Sequence, residues 1–258
     1  ARIRGDRVGN LKKAAAAYTL AADQGYAMAQ DRLGLMYQKG DGVPQDFAKA
    51  IELYRNAAAQ DHADASANLG WMFANGLGVA RDYREAAKWY RAAGEKNIIW
   101  AQNNLAWLYR NGHGVDLDYE EGLRWSRRAA EHGDPDGMVA VGWHYEYGHG
   151  VEKNLDESFR WYERAGHKGN AGGMGNLGNM YRNGWGTQRD DKVALEWFRK
   201  GAQKGNPYSF YRIGWMYEFG RGVEHDDVEA SRWYERAGEK GEIDAHERVG
   251  MLYLHWYF

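Results

Sequence analysis

Five residues return every 36 along this chain, and that period limits the fold more than any other feature. Leu33-Gly34-Leu35-Met36-Tyr37 recurs as Leu69-Gly70-Trp71-Met72-Phe73, Leu105-Ala106-Trp107-Leu108-Tyr109 and Val141-Gly142-Trp143-His144-Tyr145. Leu177-Gly178-Asn179-Met180-Tyr181, Ile213-Gly214-Trp215-Met216-Tyr217 and Val249-Gly250-Met251-Leu252-Tyr253 complete the series, with no insertion over six periods. A fixed period of this length marks an array of like supersecondary units. Each unit buries its apolar face only by stacking on its neighbours.

Each period reads as two helices. In the first, the apolar residue and the aromatic sit four apart and share a face. The glycine between them offers no side chain, so its expected role is steric, admitting a close neighbour at a modest loss of helix propensity. A Gly-x-Gly pair then ends the helix, as at Gly40 and Gly42, Gly76 and Gly78, or Gly112 and Gly114. Asp46, Asp82, Asp118, Asn154, Asp190 and Asp226 are placed to cap the second helix with a short side-chain acceptor. Eight residues on comes an aromatic pair or its equivalent: Leu53-Tyr54, Trp89-Tyr90, Trp125-Ser126, Trp161-Tyr162, Trp197-Phe198 and Trp233-Tyr234. Small residues follow (Ala57, Ala93, Ala129, Ala165, Gly201, Ala237) and leave room for bulky rings, so the five tryptophans of this column are expected in the core. The second helix stops at Gly25, Asp61, Asn97, Gly133, Gly169, Gly205 and Gly241. Asp and Asn are the non-glycine residues that best tolerate the left-handed backbone a helix end demands.

The repeats fall at about 27–62, 63–98, 99–134, 135–170, 171–206 and 207–242, with half repeats at 1–26 and 243–258, read together as one domain. Residues 10–25, with Tyr18 in the aromatic column, fit a second helix; residues 243–253 fit a first helix. Trp256-Tyr257-Phe258 stand where Gly-x-Gly is expected, and an aromatic tail is a poor polar cap, so the sequence reads as cut from a longer array.

The pattern Leu-Gly-x-x-Tyr-x-x-Gly-x-Gly-Val-x-x-Asp, then Ala-x-x-Trp-Tyr-x-x-Ala, resembles the SEL-one-like repeat family, a solenoid relative of the tetratricopeptide repeats. It is complete at Leu69, Gly70, Phe73, Gly76, Gly78, Val79, Asp82, Ala86, Trp89, Tyr90 and Ala93. Departures are few: Ala106 for Gly, Thr187 for Val, and Gly122 and Ser158 for Ala. The resemblance implies an all-α, right-handed α–α superhelical solenoid that acts as a non-enzymatic protein-binding adaptor. It leaves the partner open, with bacterial roles such as inhibiting a toxin (an immunity protein) or serving as an envelope or signalling adaptor.

With motif positions spent on packing, recognition falls to the variable ones. In related solenoids the first helices line the concave face and the residue after the glycine points into it. That column here is Leu35, Trp71, Trp107, Trp143, Asn179, Trp215 and Met251. Adjacent helices pack roughly 8–10 Å apart, so these side chains would form a ladder of binding anchors. The competing reading is that the rings lie flat on neighbouring helices and only enlarge the core. Two further columns face the same way. One contributes Asn103 and Tyr211; the other contributes Arg110, Glu146 and Arg182 and alternates in sign, which suits a polypeptide. Trp100 and Tyr208 open two first helices towards the same groove. The bland alternative for each charge is a solvated face with local ion pairs.

Other function classes fare worse. Without Cys the chain has no disulfide, thiolate metal site or cysteine nucleophile. With 34 Lys plus Arg against 36 Asp plus Glu, it lacks the basic surface of a nucleic-acid binder. A mean hydropathy of −0.79 and no long apolar run leave no membrane span. His113 and His149 occupy equivalent turns a repeat apart, too far to share a metal, and His144 with His149 lacks a third ligand. The Gly-x-Gly pairs follow no strand and recur in every repeat, as architecture would. Asp190-Asp191 and Asp226-Asp227 sit at helix starts, where the dipole favours them. No cofactor or catalytic residue is expected. The expected partner is another protein, held as an extended segment or loop. The alternative is a scaffold segment that self-associates through its terminal repeats. No leader is visible, and the sequence does not choose between bacterial cytoplasm and periplasm.

Overall fold

The computed structural model describes residues 2–257, with side chains from Val8 to Leu254. The expectation for the side chains of Trp256, Tyr257 and Phe258 lies outside the described residues. Contacts divide the chain into two compact units, 1–128 and 129–258. The first holds α1 (Arg2–Asp23), α2 (Ala27–Lys39), α3 (Phe47–Ala58), α4 (Ala63–Asn75), α5 (Tyr83–Glu95) and α6 (Ile99–Asn111), and most of α7 (Tyr119–Glu131). The second holds α8 (Pro135–Tyr147), α9 (Leu155–His167), α10 (Ala171–Asn183), α11 (Asp191–Gln203), α12 (Pro207–Glu218), α13 (Asp227–Glu239) and α14 (Ile243–Tyr257). All the described secondary structure is helical, and α1 begins well before the expected start at residue 10.

Local chemistry places each boundary where the period requires. All six acidic or amide caps accept a backbone N–H of the following turn, for instance Asp46 from Lys49 at 3.0 Å and Asn154 from Glu157 at 3.0 Å. The cap's own N–H donates back to the carbonyl of the motif aromatic, as from Asp82 to Phe73 (3.0 Å) and from Asp226 to Tyr217 (3.1 Å), which ties the loop to the first helix. First helices carry a cap column that the sequence reading passed over: His62, Asp134, Asn170 and Asn206 each accept a backbone N–H. Seven turns after second helices have positive φ, five at glycine and two at Asp61 (70°) and Asn97 (65°).

The glycine of the motif has a narrower purpose than close helix approach. A Cβ on Gly34, Gly70, Gly142, Gly178 or Gly214 would lie 2.6–2.9 Å from the ring of Tyr54, Tyr90, Tyr162, Phe198 or Tyr234, on the second helix of the same repeat. In the third repeat Ala106 replaces the glycine, and there the ring is replaced by Ser126. Gly250 has nothing within 4 Å of its would-be Cβ. The ring-on-glycine contact is thus the packing unit of the repeat.

This corrects the expectation for the second-helix tryptophans. The residue that follows them fills the core: Tyr90, Tyr162, Phe198 and Tyr234 are buried, with Ala93, Ala165 and Ala237 beside them. Trp125 and Trp197 are buried, but Trp89, Trp161 and Trp233 are only half-buried. A cation three residues on covers the ring in four of the five, for example Arg164 over Trp161 at 4.8 Å and Arg236 over Trp233 at 5.0 Å. Where the next residue is a tyrosine that fills the core, the indole takes the flank and is sheltered by an aliphatic, charged neighbour, whereas beside Phe198 both rings are buried.

Candidate functional site

Along α2, α4, α6, α8, α10 and α12 the positions around the post-glycine residue are closed by packing, while that residue stays open. Leu33, Gly34 and Met36 are buried and Leu35 is half-buried between them; the same holds around Trp71, Trp143, Asn179 and Trp215. Trp107 is 40 % exposed and Met251 50 %. A residue one step from the glycine lies about 100° round the helix from it, away from the ring that the glycine admits.

In the first unit, α6 carries Trp100, Asn103, Trp107 and Arg110 in one stripe at helical spacing. Trp100 meets Tyr90 edge-on, with centroids 6.0 Å apart. Trp107 lies against His113 (5.0 Å) and Tyr83 (6.2 Å), and His113 stacks on Tyr83 at 5.1 Å. Trp71 is half-buried and packs on the core of this unit. The post-glycine rings therefore have one face on the protein and one edge in solvent.

In the second unit the expected residues converge further. A cavity of about 230 Å³ is lined by Trp143, Glu146, Tyr147, Tyr162, Asn176, Asn179, Met180 and Tyr208, drawn from α8, α9, α10 and α12. Four of these, Trp143, Glu146, Asn179 and Tyr208, are sequence-stated candidates. Glu146 accepts a hydrogen bond from the Tyr162 hydroxyl at 2.7 Å. Asn179 and Tyr208 are paired: the amide donates to the hydroxyl at 2.7 Å, and the hydroxyl donates back to the amide oxygen at 3.0 Å. Arg212 donates its Nε–H to the same hydroxyl at 2.6 Å. Beyond it, Arg182 lies over the Trp215 ring at 4.9 Å, and Tyr211 tilts against Tyr234 at 5.2 Å.

Charge is arranged along this face. Burial, then the nearby Arg212 guanidinium, holds the Arg182 pKa below its ordinary value. Burial, then the Glu146 carboxylate, pushes the Tyr147 hydroxyl up. Tyr147, Asn176 and Arg212 were missed by the sequence reading, which followed two polar columns and not the third. Tyr147 stands in a column that reads Lys39, Asn75, Asn111, Asn183, Phe219 and His255 elsewhere, and its change from Asn to an aromatic could have flagged it.

His144 is buried, with Nδ1 2.7 Å from the His149 carbonyl oxygen, a turn-closing contact. Among the described residues no three His, Asp or Glu side chains gather as a metal would require, and no helix is long and apolar enough to cross a membrane.

Helix pairs of fixed period, locked by a ring on a glycine and displaying one variable stripe each, define an all-α repeat solenoid. The chain belongs to the Sel1 repeat family, whose model matches residues 27–62, 63–98, 101–134, 135–170, 171–206 and 207–242. Among solved structures it is similar to a protective antigen of uropathogenic Escherichia coli with an SLR fold, at 34 % identity and a TM-score of 0.83 over 92 % of this chain. That alignment covers 51 % of the antigen, so the chain spans about half of its length. A Sel1 repeat protein of Oxalobacter formigenes is 32 % identical, with a TM-score of 0.81 over 91 % of this chain and 95 % of its own. An immunity protein of Pseudomonas aeruginosa is 22 % identical, with a TM-score of 0.51 over 71 % of this chain and 66 % of its own. No curated protein matches.

Proposed function

We propose that the chain is a binding module that holds an extended polypeptide segment of a partner on the face of its first helices. Sel1 repeats are protein-interaction modules and their fold is generally non-enzymatic. The contact residues of this reading are Trp71, Trp100, Asn103, Trp107 and Arg110 in the first unit. In the second they are Trp143, Glu146, Asn179, Arg182, Tyr208, Tyr211 and Trp215. The observation that carries it is the open post-glycine column: four tryptophans keep an edge in solvent in a repeat that buries its other motif positions. Large rings held rigid by packing, with satisfied amide and hydroxyl groups between them, are the anchors that protein interfaces use. The likeness to the immunity protein shows the fold alone and names no partner. Selection of peptides displayed on phage tests the reading. Peptides retained by the protein should lose binding with Trp143→Ala and Trp215→Ala, each folded by circular dichroism. Retention unaffected by both substitutions overturns it.

A further inference from the structure

A second concavity of the second unit shares no residue with the groove. Its volume is about 400 Å³, and it is lined by Arg199, Ala202 and Gln203 of α11, Phe210 of α12, and Trp233 and Arg236 of α13. Ala202 and Phe210 are buried, and the Trp233 ring tilts against Phe210 at 42° with centroids 5.8 Å apart. The charge around these rings is positive. Arg199 donates to the Tyr217 hydroxyl at 3.0 Å, Arg236 lies over Trp233 at 5.0 Å, and Lys240 lies over Phe210 at 5.4 Å. Neutral groups thus hold the cations in place without cancelling them. Among the described residues none of the three forms an ion pair, although Glu196 and Glu239 lie three residues from Arg199 and Arg236.

The equivalent positions of other repeats differ. Arg91 and Arg127 stand where Arg199 does, and each has a glutamate one turn on, Glu95 and Glu131, at the spacing of a helical ion pair. In the fourth repeat Glu163 replaces the arginine, and His167 meets the Trp197 ring edge-on at 5.2 Å. Ala59, one turn after Arg55, is neutral, but Ala92 then stands at the position of Arg236. Only α11 and α13 combine two arginines with a neutral Gln203 between them that offers neither a charge nor a ring.

We propose that this concavity binds a small carboxylic acid with an aromatic body. The site lies outside the groove proposed above and stands independently of it. The carboxylate meets Arg199 and Arg236 through charge-assisted hydrogen bonds, for which the planar guanidinium fork is shaped, and supplies the anion that Gln203 does not. The aromatic body lies on Phe210 and Trp233 and takes their exposed edges out of water. Both parts are needed. An exposed ion pair contributes little by itself, because water screens it and two long side chains lose freedom. A neutral aromatic leaves the two guanidiniums without an anion, and an ammonium would face three cations. The volume falls within the roughly 300–1,000 Å³ that small ligands fill, and apolar walls with a few charged groups are the usual make-up of such a site.

Nuclear magnetic resonance titration of the whole chain with 3-phenylpropanoate, 3-phenylpropanamide and acetate tests this. The Trp233 indole signal, assigned through Trp233→Phe, should move with 3-phenylpropanoate and hardly at all with the other two. Gln203→Glu places at this position the residue that Glu95 and Glu131 supply elsewhere, on an exposed surface where it leaves the fold intact, and should weaken binding roughly tenfold by answering the arginines from within. Arg199→Gln and Arg236→Gln, each folded by circular dichroism, should weaken it as well. Equal response to the acid and the amide shows that charge is not read and overturns the proposal; so does Gln203→Glu binding as the wild type does. Binding of acetyl-phenylalanine with none of 3-phenylpropanoate would make the ligand a polypeptide C-terminus and overturn the small acid.

Discussion

Replacing Gly142 by Ala adds one methyl group at a contact with no room for it. The new carbon would sit 2.7 Å from Cε1, 2.8 Å from Cδ1 and 3.2 Å from Cζ of Tyr162, where ordinary contacts begin at 3.4 Å. The ring has no room to withdraw: it is buried, and its hydroxyl is held to Glu146 at 2.7 Å. Inserting a methyl into such packing costs about 1–3 kcal/mol, and alanine returns about 1 kcal/mol of helix propensity. The expected net loss is therefore about 1 kcal/mol, with 2 kcal/mol as the upper end of the same balance. Gly250→Ala isolates the propensity term, because nothing lies within 4 Å of that site. It should stabilise by about 0.5–1 kcal/mol. The readout is urea unfolding followed by circular dichroism, with the midpoint compared at unchanged slope, since a repeat array unfolds as coupled units and a changed slope would signal a changed transition. If Gly142→Ala is as stable as Gly250→Ala, the ring-on-glycine contact is not what selects glycine.

The third repeat supplies the complementary test. Ser126→Tyr alone places a ring against the Ala106 methyl, whereas Ser126→Tyr with Ala106→Gly rebuilds the arrangement of the other repeats. The double substitution should recover about 1 kcal/mol or more relative to the sum of the singles, within the range measured for touching residues. Additivity would refute the pairing.

Three further outcomes follow from individual side chains. Tyr90 buries a hydroxyl with no acceptor because Ala74 stands where Gln38, Glu146 and Glu218 serve the other tyrosines. Tyr90→Phe should therefore be neutral or stabilising by up to about 1 kcal/mol, while Tyr234→Phe should lose about 1–2 kcal/mol, both read by the same urea midpoints. Burial raises the pKa of Tyr54, Tyr90, Tyr162 and Tyr234 above the ordinary 10.0, so the folded state holds these protons when the unfolded chain releases them. Their contribution is complete below pH ~10 and declines above it, and a thermal midpoint that does not fall between pH 9.5 and 11.5 would contradict this. Asn97 holds a φ of 65°, so Asn97→Gly should gain a few tenths of a kcal/mol and Asn97→Ala should lose about 1 kcal/mol in unfolding experiments.

The repeat boundaries and caps were legible because they depend on neighbours in sequence. A positive φ at Asp61 and Asn97, or a cap at Asp118, follows from the residue and its place in the period. The side chains that surround the candidate site were only half legible, because their partners lie one repeat away. Trp215 lies under Arg182, and Tyr208 is bound to Asn179, contacts of separation 33 and 29 that a column of equivalent residues does not display.

One part of that gap was open to the sequence all the same. The polar column and the second-helix aromatic lie 16 residues apart, and read as pairs they sort themselves. Gln38, Glu146 and Glu218 stand opposite Tyr54, Tyr162 and Tyr234, each an acceptor facing a hydroxyl. Arg110 and Arg182 stand opposite Ser126 and Phe198, which present no phenol to accept. The alternation of sign along the first helices is thus set largely by what each second helix requires, and by itself it says little about a partner. Glu218 also meets Arg248 at 3.2 Å, whereas Gln38 serves the same hydroxyl position without a charge. In an array where every motif position is repeated for packing, the place to look for function is where one copy departs from what the pairing within its own repeat requires.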